Sequence, residues 1–357
     1  MRRRLFALVL LLCGVLAAGG GAPGLAAHVA AAGPGAQVAP LSPPVTVRVG
    51  VQGSAANAPI YIGYDRGYFQ QEGLNLDLVN LPSANELIPA LAASQIEVAS
   101  GGIAAGLFNA FARGIDLKIV ADSASMPPGE RGSAWVVRQD LLDSSAIRTP
   151  ADLRGRTIAL GAAASIADVE LDVLLAQGGL TRGDVRLEQI PYADQRAAFA
   201  NGSIDAAYTF EPFLASLTSN RLAGVLRWTS ELVPYQAVSV LMYRAGFTGE
   251  AANRFMIGYL RGIRDFNAAF DNRPVDDGVV AILVQHTTVK DPAAWQIARP
   301  APINPNGYTY PENIQRTQDY FVANNIVPQR VDLSRAIDTS YVEYALDRLG
   351  RVESATP

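Results

Sequence analysis

Two stretches of this chain repeat one pattern, and that repeat constrains the fold more than any other feature. "VNLPSANELIPALAASQIEVASGG" (79–102) and "EQIPYADQRAAFANGSIDAAYTFEP" (188–212) both read strand, proline, polar residue at a helix start, helix, short polar turn, strand. Aligned, they pair Pro82 with Pro191, Asn85 with Asp194, Ile96 with Ile204 and Glu97 with Asp205. Such a unit needs both faces of its sheet covered, so two copies imply two similar α/β lobes.

The surrounding sequence extends each copy. Before and after the first lie the strand pattern "VTVRVGV", the helix pattern "IYIGYDRGYFQQEG", the helix "IAAGLFNAFARG" and the strand "DLKIVADSAS". Around the second lie the helix start "TPADLRG", the strand "RTIALGAA" and the helix "SIADVELDVLLAQGG". Thr149 is a good N-cap residue with Pro150 behind it at the first helical position. Strands alternating with helices at this pitch predict mostly parallel sheets. Two apolar strands, "SAWVVRQD" (133–140) and "VSVLMYRA" (238–245), bracket the second set and are expected to join the lobes. Helical patterns "GEAANRFMIGYLRGIRDFNAAF" and "DLSRAIDTSYVEYALDRLG" follow, the latter started by Asp332 or Ser334 and stopped by Gly350.

The expected organisation is a signal peptide over 1–30, a flexible tether over 31–44 and the first part of lobe 1 over 45–132. Lobe 2 with its joining strands covers 133–240, and 241–357 returns to lobe 1 and the C-terminal helices. Arg2 to Arg4, the apolar run "LFALVLLLCGVLA" and a small-residue stretch have the order of a secretory signal. Cys13 lies inside the apolar run behind Leu12, where a lipoprotein signal wants a small residue, so an apolar filler fits it better than a lipid anchor. It is the only cysteine, so the exported chain has no disulfide and no thiolate metal site. The formal charge is −4, and removing Arg2 to Arg4 makes it −7. An acidic chain without basic runs argues against nucleic acid as a partner.

Open α/β sheets bind ligands at the carboxyl ends of their strands. Those ends read "QGSAANAP", "LPSANE", "SGGIA", "DSAS", "GAAAS", "PYADQ" and "TFEPF", rich in small polar residues and poor in groups that do chemistry. The glycines of "EVASGGIAAG" suggest a phosphate loop, but Ile103 stands where a dinucleotide fingerprint needs glycine. The only lysines, Lys118 and Lys290, lie in no Walker-type loop. Tight helix–sheet packing also accounts for Gly101 and Gly102. No cofactor is expected. His286 stands alone in "LVQHTTVKD" and His28 lies near the signal, so no metal site is expected. Serines at strand ends serve as helix caps, as ligand contacts, or as both.

Glu211 in "TFEPF" is the one charge placed in the cleft. Two readings fit: an acceptor for an amino group of a ligand, or a helix-start carboxylate with Pro212 at the first helical position. Tyr61, Tyr192, Phe210, Phe213 and Tyr235 either line the cleft or belong to the core, and Tyr235 is kept as a ligand-binding candidate.

The segments "APIYIGYDRGYFQQEGLNLDLV", "ELIPALAASQIEVASGG", "TPADLRGRTIALG", "NGSIDAAYTFEPF" and "AIDTSYVEYALDRLG" occur in this order. Together they resemble the solute-binding proteins of bacterial ABC importers serving sulfonates, taurine, nitrate and thiamine-pyrimidine precursors, from about Val45 to Gly350. The resemblance implies a type II periplasmic-binding-protein fold, two α/β lobes with a ligand cleft and hinge strands. It implies no catalysis: a monomeric, membrane-proximal protein outside the cytoplasm takes up a small molecule and hands it to an ABC permease and its ATPase. Its cleft contacts fall here on Gln52, Asn57, Ser83, Asn85, Ser100, Gly101, Gly102, Asp122, Ser123, Ala164, Ser165 and Glu211. On the amine reading of Glu211, an aminopyrimidine or taurine fits. Few cations sit at the strand ends, so an anion such as a sulfonate or nitrate would rely on helix N-termini and hydroxyls. A secreted enzyme on the same fold and a detached sensor domain are the alternatives.

Overall fold

The computed structural model describes residues 39–81 and 83–353. The expected signal peptide, Cys13, His28 and most of the tether lie outside the described residues. Among the described residues, no helix is long and apolar enough to cross a membrane.

Among the described residues, ten strands form two five-stranded sheets. Lobe 1 holds β1 (Val45–Val51), β2 (Leu74–Asn80), β3 (Val98–Gly102), β4 (Leu117–Met126) and β10 (Gln236–Arg244). Lobe 2 holds β5 (Ser133–Arg138), β6 (Thr157–Leu160), β7 (Arg186–Gln189), β8 (Ala206–Phe210) and β9 (Ala223–Trp228). Their spatial orders, β2-β1-β3-β10-β4 and β7-β6-β8-β5-β9, are the same arrangement twice. The sequence repeat falls on matching places, β2–helix–β3 and β7–helix–β8.

Each sheet has one antiparallel member in its fourth place, β10 in the first and β5 in the second. Chain direction explains this. A strand that has just crossed from the other lobe enters from the cleft, where the parallel strands end, and so must run against them. The passages fall at 127–132 and 233–235, just ahead of β5 and β10. The strands read as joining the lobes thus each lie within one sheet, and the short segments before them make the crossing.

Local chemistry accounts for the elements. In β1, Val47 and Val49 are fully buried, as suits a central strand of a covered parallel sheet. The helix read over "IYIGYDRGYFQQEG" is two pieces, Ala58–Asp65 and Tyr68–Gln71, broken at Arg66 and Gly67. The long helix Gly249–Asp271 buries Phe255, Tyr259, Ile263 and Phe266 along one stripe and covers lobe 1 together with the helices Ala58–Asp65 and Ser340–Leu349. The helix Pro311–Ala323 bridges the lobes. It packs on β10, and its Tyr320 hydroxyl accepts from Arg182 Nη2 at 2.9 Å and donates to Asp172 Oδ2 at 2.5 Å in lobe 2. Strand β9 and the helix Phe213–Ser219 carry no strong sequence period and emerge only in the fold.

Candidate functional site

The carboxyl ends of both sheets face one cavity of about 340 Å³. Lobe 1 contributes Gln52, Ser83, Asn85, Gly102 and Ser123 to its wall, and lobe 2 contributes Gly161, Ser165, Tyr192, Phe210, Glu211 and Phe213. The lobes also touch at the rim. Ala105 N–H, in the first turn of the helix Ala105–Ala112, donates to Ala164 O at 3.0 Å, and Ala104 bridges Ser165.

On the lobe 1 side the polar residues are wired together. Gln52 Oε1 accepts from Gly102 N–H at 3.1 Å, which leaves its NH2 end to donate. Ser123 Oγ donates to Ala56 O at 2.7 Å, so the 2.7 Å contact between Ser123 and Ser100 is a donation from Ser100. Ser83 precedes the helix Ala84–Ala92 and donates to Glu86 Oε1 at 3.0 Å, with Asn85 exposed in the first turn.

Several residues expected to touch ligand do not line the cavity, each for a visible reason. Asn57 is a buried brace: its Oδ1 accepts from Gln52 N–H at 2.8 Å and its Nδ2 donates to Ser100 O at 2.8 Å. Ser100 is buried behind Ser123. Gly101 is a packing glycine, since a Cβ there would lie 2.5 Å from Leu87 Cδ1 and 2.9 Å from Gln52 Oε1. Asp122 is fully buried and ties down the loop that walls the cavity, accepting from Asn304 N–H at 3.1 Å and Ser125 Oγ at 3.1 Å. Burial outweighs these donors and pushes its pKa up to about 7. Ala164 holds the rim contact with a left-handed φ of 52°. Tyr235 sits in the second crossing, its ring 5.5 Å from that of Tyr310.

Glu211 lines the cavity, yet both carboxylate oxygens are engaged. Oε2 accepts from Ala215 N–H at 2.9 Å, a helix-start contact, although Pro212 is the cap and Phe213 the first helical residue, and Oε1 accepts from Arg299 N–H at 3.0 Å. The second bond joins the end of β8 to the segment that returns to lobe 1. Burial, only partly offset by these two donors, pushes its pKa up to about 7. Ser165 is also occupied, its hydroxyl donating to Ala162 O at 3.1 Å while Asp168 Oδ2 accepts its N–H at 3.0 Å.

The feature sequence reasoning left undecided is the aromatic wall of lobe 2. Tyr192, Phe210 and Phe213 line the cavity, and Tyr208 joins them. Below this wall lies a buried polar cluster in which Glu170 Oε2 accepts from Thr229 Oγ1 at 2.9 Å and Trp135 Nε1 at 3.3 Å. Burial pushes Glu170 up to about 8. Tyr61 stays in the core, stacked on His286 with centroids 5.0 Å apart, and His286 Nε2 lies 2.9 Å from Asp65 Oδ1. Among the described residues, no group of His, Cys, Asp and Glu could hold a metal ion.

Two sheets of this order, double crossings and a cavity at the strand ends define the two-lobed, type II periplasmic-binding-protein fold. The resemblance drawn from the sequence is borne out. The family model described as NMT1/THI5 like matches residues 54–223. A relative from Escherichia coli (strain K12), named as an aliphatic sulfonates-binding protein, is 25% identical over 303 residues, 84% of this chain and 91% of its own. The alkanesulfonate-binding protein SsuA from Xanthomonas axonopodis pv. citri, solved with MOPS bound, shares the fold with a TM-score of 0.65 and 24% identity, over 84% of this chain and all of that one. The desulfurization enzyme DszB also shares it, with a TM-score of 0.61 and 15% identity over 85% of this chain and 99% of that one. The fold therefore hosts both binding and catalysis.

Proposed function

We propose that this chain is the extracytoplasmic solute-binding component of an ABC importer, taking up a small organic anion of the sulfonate class and releasing it unchanged to a permease. The observation that carries this reading is the cavity of about 340 Å³ walled by both lobes at the carboxyl ends of their strands. The similarity to sulfonate-binding relatives over most of both chains supports it.

The cavity narrows the ligand. Nitrate fills a small fraction of it. For an amine, Glu211 offers a buried carboxylate that already serves two backbone N–H groups. Among the described residues, those lining the cavity include no Lys, Arg or His, so an anionic head draws on the NH2 groups of Gln52 and Asn85 and on the first turn of Ala84–Ala92. Site residues under this reading are Gln52, Ser83, Asn85, Gly102, Ser123, Ser165 and the aromatic wall, with Glu211 as a tether.

Binding closes the lobes through contacts that both rims make only together, such as Ala105 to Ala164. Titration of the purified protein against sulfonates, taurine, nitrate and aminopyrimidines tests the class. A bound ligand at a hundredfold over its Kd adds about 2.7 kcal/mol of stability. Small-angle scattering should show compaction with ligand, and mass spectrometry should recover that ligand intact. Conversion to a new product sinks the importer reading in favour of an enzyme. Fractionation of cells making the full chain tests export by the signal at residues 1–30.

A further inference from the structure

The lobe 2 face of the cavity is built from rings. Tyr192 and Phe210 meet edge to face with centroids 4.6 Å apart and planes at 65°, and Phe210 meets Phe213 at 5.5 Å and 79°. Tyr192 lies nearly parallel to Phe213 at 6.4 Å and 25°. These are the separations aromatic rings prefer with one another, and a further ring placed against them continues the same packing.

Tyr192 holds its place because residue 161 is glycine. A Cβ on Gly161 would lie 2.1 Å from Tyr192 Cζ, so any other residue displaces the ring from the wall. Lobe 1 adds apolar lining from Ile103, Met126, Val238, Phe266 and Ile303 beside its polar residues. A wall of packed rings in a cavity with this apolar lining suits a flat apolar body. Gln52 and Asn85 bring side-chain amides to the lining from lobe 1.

We propose that the solute is an aromatic anion, its ring held against the Tyr192–Phe210–Phe213 wall, its sulfonate-type head at the amides of Gln52 and Asn85 and the first turn of Ala84–Ala92. This rests on the importer reading and deepens it. An alkyl chain gains from area alone, whereas a ring gains from area and from the edge-to-face geometry the wall already displays. The volume matches a ring with its head better than a two-carbon sulfonate.

Calorimetric titration of the purified protein with benzenesulfonate, naphthalene-1-sulfonate, hexanesulfonate and ethanesulfonate tests this. The aryl sulfonates should bind at least tenfold tighter than hexanesulfonate. Tyr192→Leu and Gly161→Val should cut that ratio below about threefold, and Tyr192→Phe, which keeps the ring, should preserve it. Circular dichroism confirms that each variant is folded. Equal or tighter binding of hexanesulfonate overturns the aromatic proposal while leaving the importer reading intact. An aryl sulfonate bound tightly but converted to another product leaves the aromatic proposal standing and overturns the importer reading. Absence of binding by all four at millimolar concentration overturns both.

Discussion

Glu97 and Asp205 perform the same task in the two lobes. Glu97 N–H donates to Arg48 O at 2.9 Å while its carboxylate accepts Arg48 N–H at 2.9 Å. Asp205 N–H donates to Thr157 O at 2.8 Å while its carboxylate accepts Thr157 N–H at 2.9 Å. Each then meets an arginine of the antiparallel strand at 3.3 Å, Arg244 in lobe 1 and Arg138 in lobe 2. A β1 or β6 N–H that extends past the start of its neighbour would otherwise lack a partner, and the acid supplies one. Glu97→Ala and Asp205→Ala should each cost about 1–3 kcal/mol in urea unfolding. Because the clamps lie in separate sheets, their costs should add within about 0.5 kcal/mol. Ligand affinity of the folded variants should be unchanged, and a change would place these acids in the site.

Three buried carboxyls set the pH response. Asp122 and Glu211 are pushed up to about 7 and Glu170 to about 8, in each case chiefly by burial. A carboxyl whose native pKa exceeds its unfolded value holds its proton more tightly when folded. Its contribution is therefore whole below the unfolded pKa near 4 and is lost as pH rises through the native value. The melting temperature should fall between pH 5 and pH 8.5. Glu170→Gln, which cannot ionise, should flatten the upper part of that fall. An equally steep fall in this variant would remove Glu170 from the account.

Glu211 acts as a tether more than a recognition group. Glu211→Ala leaves the N–H groups of Ala215 and Arg299 without their acceptor, at a cost of about 1–3 kcal/mol each if both stay dry. The expected outcome is lower stability and weaker binding of every ligand by a similar factor. A reordering of ligand preference, with amines losing most, would restore the carboxylate as a ligand contact.

Ala164 keeps a φ of 52° at the rim, a conformation that costs a residue with a Cβ about 1–2 kcal/mol. Glycine there removes the strain but gains freedom when unfolded, so Ala164→Gly should stabilise the closed protein by about 0.5 kcal/mol. Thermal melts with saturating ligand check this. A loss above 1 kcal/mol would show that the Cβ supports the rim.

The repeat, the alternation of strands and helices, and the two lobes were legible because period and turn chemistry are local. So was the location of the cleft, since parallel strands place their loops at one edge. Which loop residue faces the cavity was not legible. Asn57 and Ser100 look like ligand residues by type, but neighbours distant in sequence use their polar atoms first, and Asp122 is buried away from the cavity with Oδ2 tied to Asn304. Gly101 and Gly161 look alike in sequence, yet one makes room for Leu87 and the other for a cavity ring. The aromatic wall assembles from residues 192, 208, 210 and 213 of lobe 2, with no short motif to announce it. Sequence alone determined the two-lobed architecture, because hydrophobic period dictates what each segment must bury. Only the tertiary structure decided which polar groups remain free for a ligand, because hydrogen-bond capacity is shared among groups that meet only in the folded chain.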